Sequence, residues 1–458
     1  MTANWQQVEK LVEDQRYEEA RRVLGEMRGQ ARKGKLDGEL ARALVREAQL
    51  LAGQGQFETA TEFLLGEALP ESAVPRAAVE LGRAAILSNY LTANSWEIRQ
   101  REQIGAETVD VRLLTADEIQ QRILTSFLAA WKEREALGKV ERGSFYEVFD
   151  PNDYPAKVRG TVRDSLSYVF AEALADSAWW SPRQAREVHR LGLDRLLESD
   201  AAWRDGALTG SETHPLERLS AVLGDLEAWH RGSGRPAAAL EARRVLSAKL
   251  AQAFELDSDK QRVRVDFARR LGALEADAWW SMGMATLAEL LRAEPREEAW
   301  SEALAVARRG AAAHPKSPGA AACRSIARQL EAREIGGFSS PRSLPSSEAT
   351  AARPVGSDAL KLEIESRNLR QLHLRAYPVD LAGRLAAGKS PWPDYQEIRA
   401  LLQGSASKEW TVELPATPLL RLVRSRHSVP VERGAWAVFA SLRPDFAEEE
   451  NTLRSVFV

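Results

Sequence analysis

At 458 residues the chain is too long for one compact core, and its 44% hydrophobic content is that of a folded protein rather than a disordered one. Acidic and basic residues nearly cancel, 66 against 63, which argues against a nucleic-acid footprint, since that needs concentrated positive charge. No apolar run approaches the roughly 20 residues that cross a bilayer, and the opening MTANWQQVEKLVEDQRYEEARR has no basic stretch followed by an apolar one, so no membrane segment and no secretory signal are read and the chain as written is expected in the cytoplasm.

The first 334 residues read as helix after helix, an α-helical repeat region of tetratricopeptide-like solenoid type. Tyr17-Glu18-Glu19-Ala20 is echoed 40 residues later by Phe57-Glu58-Thr59-Ala60, each after a polar turn. An aromatic followed three residues later by Ala suits the second helix of such a unit, because the ring fills a groove and the small residue lets backbones approach. The alternative, two unrelated helical hairpins, remains open. Thr115 and Glu118 form a predicted capping box, with Leu114 and Ile119 as the hydrophobic staple. Ile119, Ile123, Leu124, Phe127, Leu128 and Trp131 then share one helical face. Ser181-Pro182 and Ser317-Pro318 repeat the start signal, Ser as cap and Pro at the first helical position.

Residues 335–357 change character. Twelve of these 23 are Gly, Pro or Ser, a composition expected to form a linker. From 358 the apolar period switches from 3.6 to 2, in Leu360–Ile364, Leu372–Tyr377, Trp410–Leu414, Trp436–Ala440 and Leu453–Val458. The expectation is an antiparallel β-sandwich over 358–458, interrupted by a short helix near 393–403. Five or six strands are legible, so the sandwich is expected to be truncated and the chain to be the N-terminal part of something longer.

No phosphate-binding glycine loop, metal-hydrolase motif or serine-nucleophile motif is present. Cys323, the one cysteine, lies in GAAACRSIARQL and is read as a buried structural thiol. His214 and His230 bracket a helix that also holds Glu217, Asp225 and Glu227. Asp225 and Glu227 diverge by about 200° and the histidines are more than four turns apart. The helix is therefore read as packing through Leu216, Leu219, Val222, Leu223, Leu226 and Trp229. A metal hydrolase on His214, Asp225 and His230 is the catalytic alternative. Trp179-Trp180 and Trp279-Trp280 are read as packing anchors rather than a stacking platform. In Asp150-Pro151-Asn152-Asp153-Tyr154-Pro155, Asn152 and Asp153 are expected to cap the next helix, with Arg159 and Arg163 paired to carboxylates and Asp164 beside them. No catalytic, cofactor-binding or metal residue is assigned, and no cofactor is expected.

The strings YEVFDPNDYPAKVRGTVRDSLSYVFAEALADSAWW, HPLERLSAVLGDLEAWH, GRPAAALEARRVL, SRNLRQLHLRAYPVDL and GAWAVFASLRPDF resemble the N-terminal region of bacterial alpha-2-macroglobulin-like proteins. The resemblance implies a helical region ahead of a first macroglobulin-like sandwich, and an endopeptidase-inhibitor function in which cleavage of a bait segment collapses the full-length protein around the protease. Many members also carry a Cys–Gln thioester. Cys323 is followed by Arg-Ser-Ile rather than x-Glu-Gln, so no thioester residue is carried over to this chain. The implied partners are a target protease for the full-length protein and an unknown protein for the helices. The resemblance also implies a periplasmic or cell-surface location. The rival reading is a helical-repeat adaptor unrelated to proteases.

Overall fold

The structure is a computed structural model and describes residues 2–101, 110–145, 153–198, 200–210, 212–340, 360–432, 434–449 and 451–458. Its architecture is α then β. The chain divides into two compact units, Met1–Gly283 and Met284–Val458. Among the described residues, no helix is long and apolar enough to cross a membrane.

The first unit opens with α1 (Thr2–Glu13), α2 (Tyr17–Gly34), α3 (Asp37–Gly53), α4 (Phe57–Gly66), α5 (Ala73–Ala93) and the single turn α6 (Ser95–Ile98). Consecutive helices from α1 to α5 pack on one another. The Tyr17 and Phe57 signals mark the first residues of α2 and α4, and Ala20 and Ala60 are fully buried. The turns themselves recur every 20 residues. Gln15, Lys35 and Gly55 take φ of 58°, 52° and 77°. After each, an amide reaches back to close the preceding helix, Arg16 to the Leu11 carbonyl, Leu36 to Ala31 and Gln56 to Leu51, at 2.8–3.0 Å. This left-handed residue with a six-to-one hydrogen bond satisfies carbonyls that a helix end leaves open.

The unit continues with α7 (Ala116–Lys132), α8 (Arg134–Leu137), α9 (Val162–Ala175), α10 (Pro182–Glu187), α11 (Leu193–Glu198) and α12 (Ala201–Thr209). Then come α13 (Pro215–Gly232), α14 (Pro236–Ala253), α15 (Asp257–Leu271) and α16 (Trp280–Arg292), inside which the division between units falls. The Thr115–Glu118 capping box forms in both directions, at 2.8 and 3.3 Å. Ser181 and Gln184 form another, and Ser317 accepts from the Ala320 amide. Ile119, Ile123, Phe127 and Trp131 of α7 join Leu166, Phe170, Leu219 and Leu226 in one core that runs through α5, α7, α9 and α11–α15.

The second unit contains α17 (Ala299–Ala313) and α18 (Pro318–Glu331), then β1 (Glu334–Ser339), β2 (Lys361–Arg367), β3 (Gln371–Pro378), α19 (Leu381–Ala386), α20 (Tyr395–Gln403), β4 (Lys408–Glu413), β5 (Val423–Ser428), β6 (Trp436–Ser441) and β7 (Leu453–Phe457). Two antiparallel sheets form, ordered β1-β2-β5 and β4-β3-β6-β7. Ile335, Leu362 and Ile364 of the first share a core with Leu372, Leu374, Val412, Val438, Ala440 and Val456 of the second, which makes a sandwich. On the other face of the four-stranded sheet, Tyr377 and Phe439 pack with Ile398, Leu401 and Leu402 of α20.

Three expectations change here. The linker does not begin at 335: Glu334–Ser339 is a strand, paired with β2 from Glu334↔Arg367 to Ser339↔Glu363. The rest of the expected linker lies outside the described residues, apart from Ser340. Two strands escaped the alternation. β1 carries Gly336-Gly337 at a register shift, and a Cβ on Gly337 would meet Glu365 Oε2 at 3.0 Å. β5 turns Ser425 and His427, not apolar residues, toward half-buried positions. With β1 and β5 the described strands number seven, where five or six were legible in the sequence. Finally, the boundary between units falls in α16 rather than near residue 335, because the last helices pack with the sandwich. Arg421 donates to the carbonyls of Glu294 and Arg296 at 3.0 and 2.9 Å. Arg367 and Arg421 both lie over the Trp300 ring, at 4.9 and 4.6 Å. Asn368, at φ 58°, donates from its amide to Leu330 and Ala332 carbonyls at the end of α18.

Candidate functional site

The residues that look chemical in the sequence converge on α9, α13 and α14 of the first unit. Helix α9 begins where Thr161 and Asp164 cap each other: the Thr161 amide and hydroxyl both donate to Asp164 Oδ2, at 2.9 and 2.8 Å. Thr161 is thus the cap, not Asn152 or Asp153. The cap must adjoin the first helical turn, and α9 starts at Val162. Asp150, Pro151 and Asn152 lie outside the described residues. The other Asp164 oxygen lies 2.6 Å from His230 Nε2, and both side chains are 1% exposed. Asp164 thus takes the Thr161 amide and hydroxyl on one oxygen and the His230 ring on the other. Among the described residues His230 Nδ1 has no hydrogen-bond partner.

Next to this pair Arg163, 1% exposed, donates to Glu135 at 2.8 Å and Asp225 at 2.7 Å. Its guanidinium lies 4.4 Å from the Trp229 ring centroid, and Arg235 stacks there at 4.0 Å. A Cβ on Gly138 would come within 2.7 Å of that indole, so only glycine lets the α8 end approach it. Glu227 pairs with Arg231 and, at 2.6 Å, with Arg243. Arg243 and Arg270 both donate to the Leu197 carbonyl near the end of α11, at 2.8 and 3.2 Å.

The centre of charge is Glu241, which has no exposed surface. It accepts from Arg159 at 2.5 Å, from both Arg244 nitrogens at 2.8 and 2.7 Å, and from Trp279 Nε1 at 2.9 Å. Burial alone would push this carboxyl up; Arg244 and Arg159 overcome it and hold it at about 2. The Arg159 guanidinium is itself sandwiched between Tyr154 and Tyr168, at 3.7 and 3.6 Å. One carboxylate thus ties the segment before α9 to α14 and to the entry of α16. The sequence pointed to Arg159, Arg163 and Trp279 but missed Glu241, Arg243 and Arg244. The available signal was a lone Glu in the apolar start of α14, Pro-Ala-Ala-Ala-Leu-Glu, followed by two arginines.

The remaining candidates stand apart. His214 caps α13: its Nδ1 accepts from the Leu216 amide at 3.1 Å and its Nε2 faces the Gln184 carbonyl at 3.0 Å. Burial lowers its pKa despite that carbonyl. His214, Asp225 and His230 are each held by different partners, and among the described residues no three His, Cys, Asp or Glu side chains group as a metal site. Leu216, Leu219, Val222, Leu223 and Leu226 are fully buried. Trp280 is 2% exposed and Trp279 3%. Trp180 is half-buried and donates to the Leu174 carbonyl at 2.9 Å; the Trp179 side chain lies outside the described residues. Cys323 is buried against Gly310 in the second unit, and burial pushes its thiol up to about 11, away from the thiolate needed for nucleophilic chemistry. No model of a known protein family matches the chain, and no curated protein matches it.

Proposed function

We propose that the chain is the non-catalytic N-terminal region of an alpha-2-macroglobulin-like protein of the endopeptidase-inhibitor family, with its helices acting as a protein-interaction scaffold. The order of parts supports this reading: helical hairpins, then a seven-stranded sandwich, in the sequence strings that resemble that family. The observation that carries the non-catalytic half is Glu241. This buried carboxylate, held at about 2, faces two guanidiniums and an indole N–H rather than a cleft. Perturbed groups mark active sites only when they remain available to a substrate.

The test uses the natural polypeptide that contains this chain. Mixed with an endopeptidase, it is expected to retain the protease in a complex that elutes early on gel filtration. If no endopeptidase of a broad-specificity panel is retained or slowed, the inhibitor reading is wrong and the adaptor reading stands in its place.

A further inference from the structure

Helices α7, α9, α10 and α13 line an open-mouthed cavity of about 220 Å³ to which the inhibitor reading gives no role. Its volume is below the roughly 300 Å³ at which drug-sized pockets begin, so it suits a single-ring molecule. The apolar wall is pre-formed. Phe127 and Phe170 stack at 4.8 Å with planes 7° apart, and Trp180 is fixed beside them by its bond to the Leu174 carbonyl. A flat apolar body packs well against such rings.

Arg218 supplies the polar end. It lines the cavity from the first turn of α13, is 6% exposed, and donates from Nη2 to the Gly210 carbonyl at 2.7 Å. Burial lowers its pKa even with Glu217 opposing that trend, and a guanidinium can receive a carboxylate through charge-assisted, bidentate hydrogen bonds. The first turns of α7 and α13 both contribute to the lining, and helix N-termini favour negative charge. Gln121 and Gln184 offer amides, and Asp117 stands exposed among the lining residues.

We propose that this cavity is a binding site for a small carboxylate with a flat apolar body, its ring against the aromatic wall and its carboxylate toward Arg218. The test titrates the full chain with 3-phenylpropanoate, 3-phenylpropanamide and 3-phenylpropylamine, followed by calorimetry and tryptophan fluorescence. The acid is expected to bind saturably at one site, with the amide and the amine each weaker by about tenfold. Ala173→Phe fills the cavity and is expected to abolish binding. Gln121→Glu, at an exposed position, is expected to weaken the acid while leaving the amide unchanged, and it keeps the test decisive if the first variant does not fold. The proposal is overturned by an amide or amine that binds as tightly as the acid, by undiminished binding in either variant, or by no saturation with the acid up to roughly 10 mM.

Discussion

Glu241 shows how a residue that resembles a catalytic acid can act as a structural one. Its ionised form is held by Arg244, Arg159 and Trp279, so the folded chain releases its proton at about 2 rather than near 4.5. The stability this contributes is complete above the unfolded value. It is lost as pH falls from about 4.5 toward 2. Glu241→Gln leaves buried guanidiniums without their counter-charge and is expected to lower unfolding free energy by on the order of 3 kcal/mol at pH 7. Urea titration at pH 7 and at pH 3 measures it. The variant should lose more at pH 7 than at pH 3, and an unchanged midpoint at pH 7 would remove Glu241 from the centre of this network. The sequence indicated that Arg159 and Arg163 pair with carboxylates, but not with which ones. Asp164 and His230 are 66 residues apart and Arg159 and Glu241 are 82 apart, so only the packing of α9 on α13 and α14 makes them partners.

At the scale of elements, local rules read well and long-range ones did not. The starts of α2, α4, α7, α10 and α18 were visible because caps and turn residues act within a few positions. β1 and β5 were hidden because a strand is recognised by alternating burial: in β1 the Gly336-Gly337 pair breaks the alternation between Ile335 and Phe338, and the half-buried positions of β5 include serine and histidine. The 20-residue turn gives a test at this scale. Gln15 and Lys35 occupy the left-handed region that Gly55 fills without cost. Gln15→Gly and Lys35→Gly should each stabilise the chain by about 1 kcal/mol, and Gly55→Ala should destabilise it by a similar amount. Thermal unfolding of the three variants checks this, and equal midpoints for all three would show that the turns do not constrain the hairpins.

At the scale of the whole molecule, the rhythm of side chains located the change from helix to sheet but misplaced its edge. Composition marked 335–357 as linker, yet backbone pairing with β2 holds Glu334–Ser339 in the sheet. The Trp300 clamp and the Asn368 bonds attach α17 and α18 to the same unit. The measurement that tests this most directly is hydrogen–deuterium exchange of the full chain across residues 334–340. If the strand is part of the sandwich, its amides bonded to β2 are protected far above the unstructured rate. Exchange at the rate of an unstructured chain would contradict the account and return the segment to the linker.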